Sequence, residues 1–218
     1  MRPLTVVLSG GPCGGKSTAL AHLRAFITKR WGGHVDVYTV HEVPTVLHAG
    51  GARYPGTAPE KERQLLEFES AILNLQLATE ESFSRVAASN EGKPSVLLLD
   101  RCAFDLAAYC SSQIWARTIE GMGQSEATLG RRYDHALFLS SAANGAEQWY
   151  TQQNNAARTE SLAEAREVDQ RTRNVYAQRF PPDRIHYVEN ESDGMEGKLS
   201  RCEQAVAHVI SNRFTQLS

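Results

Sequence analysis

The stretch LSGGPCGGKST, Leu8 to Thr18, decides the fold. A mostly apolar run from Leu4 leads into Gly10 and Gly11, then Pro12 and Cys13, then Gly14 and Gly15, and ends on Lys16 followed by the hydroxyls of Ser17 and Thr18. The spacing G-x-x-x-x-G-K-S is that of a phosphate-binding loop when it follows a strand and opens a helix, and both flanks have that pattern here. Glycines let consecutive backbone N–H groups turn inward as an anion nest, with no side chain to block a phosphate. A helix starting near Lys16 adds its positive end. Lys16 is expected as an exposed cation reaching the terminal phosphates, and Ser17 as a hydroxyl for Mg²⁺. The loop therefore predicts ATP or GTP as ligand, cradled by Gly10, Gly11, Pro12, Cys13, Gly14, Gly15, Lys16, Ser17 and Thr18. Cys13 is read as a backbone contributor, with a reactive thiol as the alternative.

Outward from this loop, strand and helix signals alternate. Leu4–Ser9 reads as a buried strand, and Leu20, Leu23 and Ile27 give the helix after the loop an apolar face. A second strand is expected over Val35–Val40, and Pro44, Gly50-Gly51 and Tyr54-Pro55-Gly56 read as a loop. Pro59 opens a long helix to about Ser89, with Leu65, Phe68, Ile72 and Leu75 as its apolar stripe. Ser95–Asp100 is an unbroken apolar run of the kind covered on both faces. A helical region is expected from about Asp105 to Arg117, a strand over His135–Ser140, and a polar helix over Ser161–Phe180 started by a capping box at Ser161 and Glu164. A strand over Ile185–Val188 and a helix over Lys198–Ser211 complete the series. Such alternation implies right-handed crossovers and a parallel sheet between helical layers. The expectation is an α/β P-loop NTPase fold: one domain over 1–218, five parallel strands, helices on both faces and a lid-like segment near 150–160; its resemblance to the nucleoside and nucleotide kinases rests on Asp100-Arg101 at the end of the third strand.

Asp100 ends its apolar strand where a Walker-B carboxylate holds Mg²⁺. Ala103 fills the glycine place of a switch GTPase's D-x-x-G, no N-K-x-D is present, and Arg101 stands where motor-type ATPases carry Glu. Asp100-Arg101 resembles small-molecule P-loop kinases, which implies an acid at the metal or the acceptor hydroxyl and an arginine on phosphate or acceptor. Glu42, just beyond the second strand, lies at the carboxyl edge where ligands of open α/β sheets bind, and is a candidate to take the acceptor's proton. Arg158, directly before the Ser161 helix, is placed as a lid arginine, with Arg166 among the helix's own arginines paired to Glu164, Glu167 and Asp169. Asp105 is read either as an acceptor contact or as the N-cap for Leu106 onward. Asn190 and Asp193 follow the last strand, where a nucleotide base often rests.

These residues together resemble the P-loop AAA-type domain family shared by bacterial NadR ribosylnicotinamide kinases and the TRPL translocation defect protein 14. The resemblance rests on GGPCGGKST, HEVPTVLHAGG, LLDRCAFDLAAY, YDHALFLSSAANGAEQWYTQQNNAARTESLAEAREVD and HYVEN, in that order, from Leu4 to about Asn190. It implies nucleoside triphosphate binding on Gly10 to Thr18, with Glu42, Asp100, Arg101 and Arg158 around the site. Cys102 stands where a glycine is frequent after the Asp-Arg pair.

Length and composition agree with this reading. The 218 residues are 41% hydrophobic, enough for a sizeable core. The net charge of -2 is spread along the chain, without the basic footprint of a nucleic-acid or membrane-surface binder. Cys13, Cys102, Cys110 and Cys202 form no framework or C-x-x-C pair and read as buried structural thiols in a reducing, cytoplasmic setting. His34, His41 and His48 lack metal-ligand spacing, and no apolar run is long enough for a transmembrane segment. The expected partners are a nucleoside triphosphate and a small-molecule hydroxyl acceptor. Three functions follow: a Mg²⁺-dependent kinase, a nucleotide-controlled regulatory module that binds a protein or lipid partner, and a plain ATPase.

Overall fold

The computed structural model describes residues 1–90, 92–150 and 161–214. Five strands, β1 (Leu4–Ser9), β2 (Asp36–Val40), β3 (Ser95–Asp100), β4 (His135–Leu139) and β5 (Ile185–Val188), form one parallel sheet in the order β2-β3-β1-β4-β5. The helices between them are α1 (Lys16–Trp31), α2 (Pro44–Ala49), α3 (Glu62–Ser89), α4 (Ser112–Gly121), α5 (Glu126–Gly130), α6 (Leu162–Arg179) and α7 (Gly194–Arg213).

Side chains alternate across the pleat, so each central strand feeds two cores. Val6, Leu8, Leu98, Leu137 and Leu139 pack with Leu20, Leu23 and Ile27 of α1 and Val206, Val209 and Ile210 of α7. Val7, Leu97, Leu99, Ala136 and Phe138 pack on the opposite face with Ile72 and Leu73 of α3, Trp115 of α4 and Tyr176 of α6. The register places Leu8 beside both Asp100 and Leu137, so β1, β3 and β4 end at one level and the loop after Ser9 emerges between the ends of its neighbours.

The expected strands and the α/β class are found. Four local expectations are corrected. The Pro44 loop begins with a short helix, α2, because Pro44 at its start needs no N–H partner. The region from Asp105 to Arg117 is not one helix: a 3₁₀ turn, Ala103–Ala108, comes first, and α4 starts afresh after Ser111, whose hydroxyl accepts from the Ile114 N–H. On α3, Leu65 and Ile72 are buried as expected, but Phe68 and Leu75 are half-buried, and Glu69, Gln76 and Glu80 go inside. Glu80 is held there by Arg132, Tyr133 and Gln76. Of the cysteines, Cys102 and Cys202 are buried, whereas Cys13 and Cys110 are half-buried.

Leu98, in the central part of the sheet, is fully buried. Leu98→Ala is expected to lower stability by about 2–5 kcal/mol through lost burial and the cavity left behind. Urea denaturation should show this as a lower midpoint with an unchanged slope.

Candidate active site

The loop after β1 is fixed by backbone packing. A Cβ at Gly10, whose φ is 135°, would come within 1.9 Å of the Leu139 carbonyl oxygen, and one at Gly14 within 2.7 Å of the same atom. At Gly11 a Cβ would meet the Asp169 side chain at 2.7 Å. These glycines are therefore required by the end of β4 and by α6, as well as by any approaching phosphate. Asp169 Oδ1 accepts from the Gly11 N–H at 2.8 Å and the Ser141 N–H at 3.0 Å, and Oδ2 from Asn144 Nδ2 at 2.7 Å. Ser141 Oγ donates to the Pro12 carbonyl at 2.5 Å.

Gly15, in the left-handed region at φ 83°, turns the chain into α1, whose N-terminus has no side-chain cap and no acid in its first turn. The first-turn N–H groups and the helix dipole thus face the loop. Lys16 is not the exposed lysine expected from sequence. It is 8% exposed, and its Nζ donates to the Gly10 and Gly11 carbonyls at 2.8 and 2.9 Å. Burial, then the nearby Arg101 charge, lower its pKa to about 8.

Ser17 Oγ donates to Asp100 Oδ2 at 2.8 Å. Asp100 is 2% exposed, and its Oδ1 is buried with no hydrogen-bond partner among the described residues. Burial raises its pKa against the pull of Lys16 and Arg101. Arg101 follows at φ 73°, a conformation that is strained for a side-chain-bearing residue. Its Nε meets Glu42 Oε1 at 2.6 Å, and its guanidinium lies 3.5 Å from Asp105 and 3.3 Å from the Tyr109 hydroxyl. The Arg101 charge holds Glu42 at about 2.

The fold thus brings Gly10 to Ser17, Glu42, Asp100 and Arg101 together at the ends of β1, β2 and β3. Arg158 and the lid-like segment lie outside the described residues. Asp105 is not an N-cap; it is the third residue of the 3₁₀ turn, accepting the Cys102 N–H at 2.9 Å. Its oxygens also take Ser9 Oγ and the Tyr176 hydroxyl, so its bonds are spent inside the chain. Arg166 pairs with Glu147 and the Ala143 carbonyl, not with its helix neighbours. Asn190 donates to the Ser141 and Asn144 carbonyls and accepts from Lys198, while Asp193 pairs with Arg201. Sequence reasoning did not bring Ser141 to the site, and it read Asp169 only as a partner for the helix's own arginines. The clue to Asp169 was its place on the buried side of α6, in step with Ala165, Val168 and Thr172.

Residues 5–193 match the sequence pattern of the AAA domain. The chain belongs to that family. No curated protein sequence matches this AAA-domain chain. Among solved structures, it is similar to NadR protein in complex with NAD and AMP-PNP, at 14% identity and a TM-score of 0.59, covering 96% of this chain and 49% of that one. NadR protein in complex with NR gives 14% identity, a TM-score of 0.62, and coverage of 96% and 51%. The likeness is one of fold, and the chain spans about half the length of these structures.

Two predictions follow from the loop. A phosphate that takes over Lys16 from the Gly10 and Gly11 carbonyls must restore its proton. ATP affinity should therefore be level below about pH 7 and fall by up to about tenfold per pH unit well above 8. Lys16→Arg, which does not deprotonate, should flatten the fall in a calorimetric titration. Asp169→Ala leaves the Gly11 and Ser141 N–H groups without acceptors, at about 1–3 kcal/mol each, so chemical denaturation should show a loss of that order.

Proposed function

We propose that the protein is a Mg²⁺-dependent kinase that transfers the terminal phosphate of ATP or GTP to a hydroxyl of a small molecule. The observation that carries this reading is the meeting of two groups of residues at one sheet edge. One is a phosphate loop with an uncapped helix end and Lys16; the other is Glu42, Asp100 and Arg101. The likeness in fold to NadR, one structure of which contains AMP-PNP, supports nucleotide binding.

The donors fit Mg²⁺: Ser17 Oγ and the partnerless Asp100 Oδ1 are hard oxygen ligands, and a magnesium site commonly uses one or two carboxylates together with substrate phosphates. When bound, the ion would neutralise phosphate charge. The loop N–H groups and the start of α1 hold the β-phosphate, while Lys16 exchanges its two carbonyl partners for phosphate oxygens. Arg101, kept in place by Glu42 and Asp105, presents its guanidinium to the transferring group or the acceptor. Glu42 stays ionised throughout the physiological range and accepts the hydroxyl proton as the acceptor oxygen bonds phosphorus and the nucleoside diphosphate leaves. A carboxylate of such low basicity serves because a loose phosphoryl-transfer transition state needs little proton abstraction early on.

The same Glu42–Arg101 ion pair favours a second reading, in which the residue is a structural anion and the protein is a nucleotide-controlled binding module. Two substitutions separate these accounts. Asp100→Asn should weaken Mg²⁺-nucleotide binding and turnover together. Glu42→Gln should leave nucleotide affinity nearly intact and lower transfer by roughly 10²–10⁴-fold, with no loss of wild-type rate from Glu42 protonation between about pH 5 and 8. The assay is a screen of nucleosides, ribosides and sugars with ATP or GTP. Tight nucleotide binding with no acceptor phosphorylated, and no rate changed by Glu42→Gln, would leave the binding module as the better account.

A further inference from the structure

The buried polar residues of α3 lie on one face of the helix and differ in a telling way. Gln76 donates to Glu80, and Glu80 is satisfied by Arg132 and Tyr133. Glu69, on the same face, is 2% exposed; no described residue bonds or pairs with its carboxyl, and its oxygens keep a small opening to solvent, unlike the sealed Asp100 Oδ1. A carboxyl this nearly buried and without a protein partner is costly, and native chains seldom keep one without a use.

Its position follows from the helix geometry. The end of α3 lies at the amino edge of the sheet, where Ser95 Oγ donates to the Ala87 carbonyl at 3.3 Å. Gln76 Nε2 reaches the Arg101 carbonyl, at the carboxyl edge, at 3.5 Å. Glu69 is about two turns (~10 Å) further towards the helix start, hence beyond the strand ends, on the side where ligands of open α/β sheets bind. Tyr54 and Cys110 neighbour it: burial first, then the Glu69 charge, push both up to about 12. Tyr54 donates to the Tyr109 carbonyl at 2.8 Å, and the Tyr109 hydroxyl accepts from Arg101. Tyr54, which feels the Glu69 charge, is thus bonded to Tyr109, and Tyr109 to the arginine of the Glu42–Arg101 pair.

Resting on the kinase reading above, we propose that Glu69 is a specificity-determining residue of the acceptor pocket, its free carboxyl taking a hydrogen-bond donor, an amino or hydroxyl group, of the bound acceptor. A site with a buried polar group waiting for a donor rejects analogues that lack it, because the group is then left unpaired.

Burial pushes Glu69 up to about 7. Since this folded-state value exceeds the unfolded one, the carboxyl destabilises the fold increasingly from about pH 4.5 upward, and fully only above about 7. The titratable groups facing it, Tyr54 and Cys110, are neutral at pH 8, and Arg171 acts on Tyr54 from α6.

The test uses the full chain with Glu69→Gln and Glu69→Leu. In thermal melts both variants should match wild type near pH 4.5 and be more stable at pH 8; equal melting temperatures at pH 8 would mean that Glu69 is paired in solution and would overturn the inference. Steady-state kinetics with ATP then compare cytidine with uridine, which probes an amino donor, and each with its 2′-deoxy form, which probes a hydroxyl. Wild type should favour one member of a pair. Glu69→Leu should raise KM for that member by roughly 10–100-fold and level the pair, with a much smaller change in KM for ATP; Glu69→Gln, which keeps a carbonyl acceptor, should lie between them. If wild type discriminates and Glu69→Leu keeps both the preference and KM, or wild type phosphorylates both members of every pair alike, the role of Glu69 fails while the kinase reading stands. If wild type neither binds nor phosphorylates any of these nucleosides, the role of Glu69 fails, and the kinase reading fails with it only when the wider screen of nucleosides, ribosides and sugars also yields no product.

Discussion

The buried carboxylate of Asp169 ties together three segments that are far apart in sequence. It receives Gly11 of the nucleotide loop, the first residues after β4, and Asn144, all from its place on α6. A glycine-rich loop has high backbone entropy, and an anion nest works only if its N–H groups already point the right way. Asp169 on one side and the Leu139 carbonyl against Gly10 and Gly14 on the other remove that freedom before a ligand arrives. Any movement of α6 is therefore felt directly at Gly11, which couples the helix after the Arg158 segment to the phosphate site.

Charge balance governs the rest of the site. Around Lys16 lie one further cation, Arg101, and three carboxylates, Glu42, Asp100 and Asp105. Asp105 is spent on Ser9, Cys102 and Tyr176, and Glu42 on Arg101. That leaves Asp100 as the carboxylate with a spare buried oxygen, next to the Ser17 hydroxyl. Burial raises its pKa against the pull of Lys16 and Arg101, and in the proposed kinase a divalent cation with its nucleotide would favour its ionised form. Lys16 is held by carbonyls instead, so no strong ion pair has to break when a phosphate claims it.

Much of this was legible in the sequence because local patterns encode it. The apolar strands, the loop spacing and the capping box at Ser161 each lie within a short window, and each is found. Glu42 and Asp100-Arg101 were reachable because strand ends place them at the same edge. What escaped depends on contacts between distant segments. Asp169, read as a partner for surface arginines, bonds to a residue 158 positions away. Lys16 appeared exposed because a loop lysine usually is; its burial comes from its own loop folding over it. The 3₁₀ turn at Ala103–Ala108 replaces a helix because Asp105 is drawn into a buried network with Ser9 and Tyr176, which no periodicity records.

The two glutamates inside α3 show why burial alone does not identify function. Glu80 and Glu69 are equally hidden, and burial raises the pKa of both. Glu80 is surrounded by Arg132, Tyr133 and Gln76, a network that locks α3 to the start of β4; removing one partner would leave a buried charge uncompensated. Glu69 has no such network, so replacing it by an apolar residue should gain stability at neutral pH. A group whose removal helps the fold is better explained by a task outside the fold. For the proposed acceptor contact that task lies towards the carboxyl edge of the sheet, where Gln76, two turns along the same helix face, touches the carbonyl of Arg101.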